Sequence, residues 1–482
     1  LDSRAGAPLP LALRQALAAP ALAATVPDLE FAHAVLVLEC EPVDDAPILD
    51  LRLRKGVRDN GVRLAMATSR PSTLDPNAEQ SVRISPAMGG ALLAALGAAL
   101  GAGGDLGALA GTAGVAVEEV RALAGLLSDA GEDVVILWSE RLTSGPGGAY
   151  AARALLNVAD RLGLRAPAGA GLLEIPAGTN GRGLAEVGVL PDAGPGLQTA
   201  QTPGQPAAGI ARALAEGELS ALYLLHADPL RTHPDRALWE RALGGARAVI
   251  AHESAMTETV RGYATVVFPA ESYAEKAGTV THPDGRLQRL RPAIGHPGQV
   301  RSEWRVLAEL AERIGHGLGV LTGPMATAQM VEAVPFYAGL TLEAIGGRGL
   351  RWPERAAAAT VPGGDSAPFE LEAAPAAPAA NGALRLGTFR SIWAAKEVEL
   401  SPSLKFLAAR QRAELSPTDA ERLGVTHGET VEVAHDGASV HATAAVRANV
   451  PRGTVFLEEA TAADPVNALT NGEPRLVEVR RP

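Results

Sequence analysis

ALYLLHADPLRTHPDRALWERALGGARAVIAHESAMTETVRGYATVVFPAE, Ala221 to Glu271, decides the fold class. Three short apolar runs, ALYLL, AVIA and TVVF, have the length and the branched aliphatic content of buried strands. Between them stand HPDRALWERALGG and SAMTETVRGYA, whose apolar residues recur at helical spacing. Strand, helix, strand, helix, strand predicts a parallel sheet covered by helices, a Rossmann-like half. In such sheets ligands bind outside the carboxyl ends of the strands. Here those ends carry His226 to Pro229, His252 to Ser254, and Pro269 to Glu271.

The same rhythm runs upstream. AVLVLEC (Ala34 to Cys40) reads as a strand, APILDLRLRKGVRDNG as a helix stopped by Gly61, and VRLAMA as the next strand. DVVILW (Asp133 to Trp138), a Gly-Pro-Gly-Gly turn at Gly145 to Gly148, and AYAARALLNVADRLG form another such unit. The uncharged run Ile84 to Gly104 has the length of a bilayer span, but alanine and glycine dominate it, so a buried helix with a glycine-rich exit is expected. Trp352 to Gly382 is rich in Ala and Pro and reads as a linker. Beyond it, Ser416, Pro417 and Gly424 delimit a short helix, and period-two alternation across Asp436-Gly437 signals a hairpin in a small β-barrel. The expected organisation is an α/β region over 1–130, a second over 131–350, a linker over 351–382 and a barrel over 383–482.

The balance of 43 Lys+Arg against 54 Asp+Glu, a net of -11, argues against nucleic acid as a partner. One cysteine, Cys40, excludes an intrachain disulfide and a cysteine-ligated cluster or zinc site built from these residues alone. The histidines form no ligand set, and no Walker loop, Gly-x-Gly-x-x-Gly or Gly-x-Ser-x-Gly is present. GTNGRG, Gly178 to Gly183, has residues able to take positive φ and aim N–H groups at a ligand, with Arg182 alongside; by local pattern alone a plain connecting loop is the simpler account. Arg286, Arg289 and Arg291 suit an anion clamp or a dock for an acidic partner surface or, more simply, a solvated face.

Larger patterns carry a family likeness. AESYAEKAGTVTHPDGRLQ followed by SEW resembles the Ala-x3-Ala-Glu-x-x-Gly-Thr-x-x-Asn-x-Glu-Gly-Arg-x-Gln segment of the molybdopterin oxidoreductase superfamily, with His282 for Asn and Asp284 for Glu. NGRGLAEVGVLP, Asn180 to Pro191, resembles the Asn-x-x-Gly-x5-Gly-x-x-Pro segment of the large G subunit of bacterial NADH:quinone oxidoreductase, respiratory complex I. CEPVDDAPILDLRLRKGVRDNGVRL is similar to that subunit's acidic loop and Leu/Arg helix. YLLHADP parallels a strand ending in Asn-Pro or Asp-Pro, with His226 for the commoner Gly. LSPTDAERLGVTHGETVEV resembles the opening of the superfamily's dinucleotide-binding barrel.

The resemblance implies Rossmann-like parallel-sheet domains followed by a double-psi-type β-barrel. It implies the C-terminal part of a G-type subunit in the peripheral arm, cytoplasmic and at the inner face of the bacterial membrane, touching the bilayer only through its partners. Iron-sulfur clusters would lie before Leu1 or in partner subunits, with no cofactor and no catalytic or metal-binding residue in this stretch. The alternative is a molybdenum enzyme of formate-dehydrogenase type holding molybdopterin guanosine dinucleotide; a third reading is a non-redox scaffold module. Candidate contacts, vestigial or to a pterin, are Glu39, Glu41, Pro42, Ser69, Arg70, Asn180, Arg182, His226, Asp228, Pro229, Glu275, Gly278, Thr279 and Arg286.

Overall fold

The computed structural model describes residues 1–165, 168–364, 366–375 and 382–482. These form two compact units, one built from 6–177, 234–236 and 363–482, the other from 1–5, 178–233 and 237–362.

In the first unit, strands β1 (Ala34–Leu38), β2 (Arg63–Thr68), β3 (Gln80–Arg83), β4 (Val134–Ser139) and β5 (Gly171–Ile175) form one parallel sheet in the order β3-β2-β1-β4-β5. Every residue of β1 and β4 is buried, as a sheet covered on both faces requires. Alternate residues of β1 serve opposite cores. Leu36 and Leu38 face the helices Gly89–Gly97, Val117–Asp129 and Gly148–Arg161, whereas Val35 and Val37 pack with Leu49 and Leu53 of helix Pro47–Asn60. That helix ends at Gly61 with φ 72°, the expected left-handed stop.

The alanine- and glycine-rich run yields a nine-residue helix, Gly89–Gly97, buried throughout. A Cβ on Gly90 would lie 3.1 Å from Ala151 Cβ, so small residues let this helix cross Gly148–Arg161 closely. Among the described residues no helix is long and apolar enough to cross a membrane.

The expected boundary at 130/131 falls inside this sheet, because β4, which follows it, pairs with β1 and β5 pairs with β4. Chain proximity does not delimit a parallel sheet, whose neighbours are joined by crossovers of a dozen residues or more.

The same unit contains a closed six-stranded barrel. Its strands β14 (Leu384–Phe389), β15 (Arg412–Leu415), β16 (Thr430–His435), β17 (Ala438–Val446), β18 (Thr454–Glu458) and β19 (Leu476–Arg480) run β14-β18-β15-β17-β16-β19 around it. Asp436 (φ 46°) and Gly437 (φ 83°) make the expected hairpin, and Ser416 Oγ accepts from Asp419 N to cap the helix Pro417–Leu423.

In the second unit a ribbon of β6 (Ala193–Gly194) and β7 (Gln198–Thr199) precedes a three-stranded parallel sheet whose middle strand is the second in sequence. This sheet comprises β8 (Ala221–Leu225), β9 (Ala248–Glu253) and β10 (Val266–Pro269), the three strands expected from Ala221 to Glu271. An antiparallel sheet, β11 (Gly278–Thr281), β12 (Arg286–Leu290) and β13 (Leu350–Arg351), completes it.

The expected linker begins differently. Trp352 is fully buried, its ring 4.4 Å from that of Phe336, and two 3-10 turns follow through Thr360. The Ala/Pro composition conceals this aromatic anchor; Asp365 and residues 376–381 of the segment lie outside the described residues.

Candidate functional site

The order of the five-stranded sheet reverses between β1 and β4, which places a crevice at their carboxyl ends. β1 delivers Glu39 in a left-handed conformation (φ 48°), then Cys40, Glu41 and the short helix Pro42–Asp45 with Pro42 at its first position. β2 delivers Ser69 and Arg70, and β4 delivers Glu140 and Arg141. The barrel brings Phe389, Arg390, Arg412, Glu414, Glu458 and Glu459 to the same place, as the contacts below establish.

Ser69 Oγ donates to Glu39 Oε2 at 3.1 Å, while Glu39 Oε1 is buried without a partner. Burial raises this carboxyl above its ordinary range despite the nearby Arg141, favouring the neutral acid. Glu41 accepts from Thr73 Oγ1 at 2.7 Å. Cys40 donates its thiol to Asp45 Oδ2, and burial followed by that carboxylate pushes its pKa well up. A thiol held protonated is a poor metal ligand.

The arginines are engaged by carboxylates. Arg70 donates Nε and Nη2 to Glu414 at 2.6 and 2.9 Å, and its guanidinium lies 4.1 Å over the Phe389 ring. Arg447 reaches the same carboxylate at 3.0 Å, and Arg412 holds Glu458 at 2.9 Å. Arg141 meets Glu459 at 3.1 Å and donates to Thr388, while Arg390 meets Glu459 at 3.2 Å and Ala177 O at 2.8 Å. Burial would raise the Glu459 carboxyl, but Arg141 and Arg390 outweigh it and hold it at about 2.

A dinucleotide cofactor needs donors for its phosphates. In this crevice four guanidiniums already face protein carboxylates, with Glu39, Glu41, Asp44 and Asp45 alongside, so phosphate would have to displace internal anions. The orphaned Glu39 oxygen suits an N–H donor, such as a heterocycle edge. A phosphate entering here would have to open these ion pairs.

The second unit collects the remaining candidates in two places. Asn180, at φ 63°, accepts from Thr281 N through Oδ1 at 2.7 Å. Arg182 binds Glu186 at 2.8 Å and the Pro283 carbonyl, and Glu186 also accepts from Trp352 Nε1 at 3.1 Å and from Tyr337. The Asn-Gly-Arg-Gly loop is thus fastened to the β11–β12 hairpin. A Cβ on Gly183 would fall 2.2 Å from Asn180 Oδ1, which explains that glycine. Gly278 and Thr279 open β11, with Thr279 Oγ1 against Met330 Sδ.

Arg286 is half-buried beside Asp284, which also meets Arg351 at 3.6 Å; Arg289 and Arg291 are exposed. Arg286 orders a turn, and Arg289 and Arg291 lie on a solvated face.

At the ends of β8 to β10, His226 (φ 50°) binds Glu303 at 2.7 Å, and Lys276 bridges both at 2.9 Å. Asp228 accepts from Thr259, Pro229 starts a one-turn helix, and Glu275 accepts from Ser272 N at 3.0 Å. No group of three or more His, Cys, Asp or Glu able to hold a metal ion occurs among the described residues.

Sequence reasoning missed Arg141, Arg390, Glu414 and Glu459. Arg141 lies two residues beyond the end of β4 and was within reach of the strand-end rule; the barrel carboxylates carry no local signal.

Comparison with known proteins agrees with this architecture. Residues 7–313 match the molybdopterin oxidoreductase family model, and residues 384–477 match that of the molydopterin dinucleotide binding domain. The G 2 subunit of NADH-quinone oxidoreductase from Rhizobium meliloti is 31% identical over 92% of this chain and 54% of its own length. The alpha subunit of NADPH-Fe(3+) oxidoreductase from Geobacter sulfurreducens is 29% identical over 97% of this chain and 58% of its own. The chain therefore spans a little over half the length of these curated relatives, and formate dehydrogenases are among further matches. The structure of acetylene hydratase from Pelobacter acetylenicus superposes with a TM-score of 0.68 at 12% identity, covering 98% of this chain and 81% of that one.

Proposed function

Because the chain belongs to the molybdopterin oxidoreductase family, we propose that it is the body of a G-type subunit in a multi-subunit NAD(P)H-oxidising electron-transfer assembly. In this reading the ancestral cofactor crevice is closed by ion pairs and the fold serves as a rigid support. Electrons pass through iron-sulfur clusters carried outside these residues, and the assembly docks at the cytoplasmic face of the membrane through other subunits. The names of the Rhizobium and Geobacter relatives support a subunit role.

The observation that carries the reading is the engagement of Arg70 by Glu414. A guanidinium desolvated against a protein carboxylate and an aromatic ring is a seam between sheet and barrel, with little left for a phosphate. Arg141, Arg390 and Glu459 repeat the arrangement.

The full-length subunit, purified in its assembly, tests this by elemental analysis and by fluorescence of oxidised pterin. The expected result is NAD(P)H oxidation without stoichiometric molybdenum. Molybdenum at one per chain would overturn the reading in favour of a formate-dehydrogenase-type enzyme, which the match of residues 384–477 to the dinucleotide-binding model favours.

A further inference from the structure

Between β14 and β15 the chain leaves the barrel for a compact loop, Arg390 to Gln411. Ala409 N donates to Trp393 O and Ile392 N to Asp44 Oδ1, pinning the loop's ends, while a helix Lys396–Leu400 and a turn Lys405–Leu407 shape its middle. Within residues 390–410 only Val398 is buried. The large apolar side chains point outward: Phe406 is 79% exposed, Leu400 59%, Ile392 43%, Leu404 41%, Trp393 40% and Leu407 37%.

With about 150–250 Å² on a large apolar side chain, these fractions amount to roughly 500 Å². That is near the upper limit for a monomer's largest apolar patch, about 300–600 Å². It is also enough for the centre of an ordinary interface, about 800 Å² per partner. Nothing in the barrel requires the exposure, since a closed barrel leaves no strand edge for the loop to cover.

The charges at its rim indicate the occupant. Lys405 and Arg410 are exposed and make no ion pair among the described residues, against one exposed carboxylate on the loop, Glu397, so the rim carries a net positive charge although the chain as a whole carries -11. A second copy docking by the same patch would set this net positive rim against itself across a two-fold axis. We propose that this loop is the docking element for a different protein subunit, one offering an apolar groove that takes Phe406 and Leu400 and bears carboxylates opposite Lys405 and Arg410. The inference rests on the multi-subunit reading above.

The test uses the full-length subunit produced with its native assembly. Phe406→Asp with Leu400→Asp removes the apolar anchors at exposed positions; Lys405→Glu with Arg410→Glu reverses the rim. Mass by light scattering after gel filtration is expected to show the wild type in the assembly and the apolar variant released, its affinity weakened on the order of tenfold or more, with an unchanged melting temperature. The charge variant is expected to bind more weakly and to lose the wild type's weakening with added salt.

An apolar variant that stays in the assembly with wild-type affinity overturns the proposal. So does a wild-type chain that pairs with itself through Phe406, or that binds vesicles of phosphatidylcholine and phosphatidylglycerol through it. A wild-type chain that joins no assembly refutes the subunit reading itself, whereas retention of the apolar variant refutes the docking loop alone.

Discussion

Replacing Glu414 by Gln removes one charge from a carboxylate whose side chain is 1% exposed and which accepts two hydrogen bonds from Arg70 and one contact from Arg447. Opening a buried ion pair by neutralising one partner costs about 3–5 kcal/mol, since the other charge stays desolvated. Arg70 is 20% exposed and Arg447 49%, so both recover part of their hydration and the cost falls to roughly 2–4 kcal/mol. In a unit of this size each kcal/mol lowers the melting temperature by about 2 °C, giving a fall of roughly 4–8 °C by calorimetry. The double variant Arg70→Glu, Glu414→Arg restores part of the loss if pairing is its source. A loss below about 0.5 kcal/mol, the range of a solvated surface pair, would refute the reasoning. The guanidinium would then be loosely held and available to a phosphate, and the closed-crevice reading would lose its main support.

Three further outcomes follow from particular groups. Glu459 titrates at about 2 in the folded chain against an ordinary 4.5, so its contribution is complete above pH 4.5 and is lost as pH falls toward 2; Glu459→Gln should flatten acid unfolding over that window, followed by circular dichroism. His233 is drawn down from 6.5 to about 4 by burial and stays neutral when folded, so the unfolded chain binds the proton first and stability falls as pH drops from 6.5 to 4; this slope should disappear in His233→Gln denaturation curves measured across that range. Asn180→Ala removes the acceptor of Thr281 N and places a Cβ-bearing residue less suited to φ 63° at the loop, with an expected loss of about 1–3 kcal/mol by urea unfolding and a smaller one for Asn180→Gly, which relieves the strain.

The local signals in the chain were sufficient for many of its elements. Gly61 ends a helix because it accepts a left-handed φ, Ser416 caps the next because its hydroxyl reaches the N–H three residues on, and Asp436-Gly437 turns a hairpin because both residues take positive φ. Each depends on atoms within a few residues, as do the apolar periods of Ala221 to Glu271. With the family resemblance they determined an α/β body followed by a barrel. Pairing across the fold was decided by tertiary structure alone. Arg70 and Glu414 are 344 residues apart, and nothing near either one selects the other among 43 bases and 54 acids. The order β3-β2-β1-β4-β5, the closure of β14 on β19 and the fastening of Asn180 to Thr281 likewise depend on the path of the whole chain. Only when sheet and barrel fold into one unit do arginines at strand ends meet the carboxylates that occupy them, because a desolvated charge is tolerable only beside its counter-charge, and that neighbour is supplied by packing.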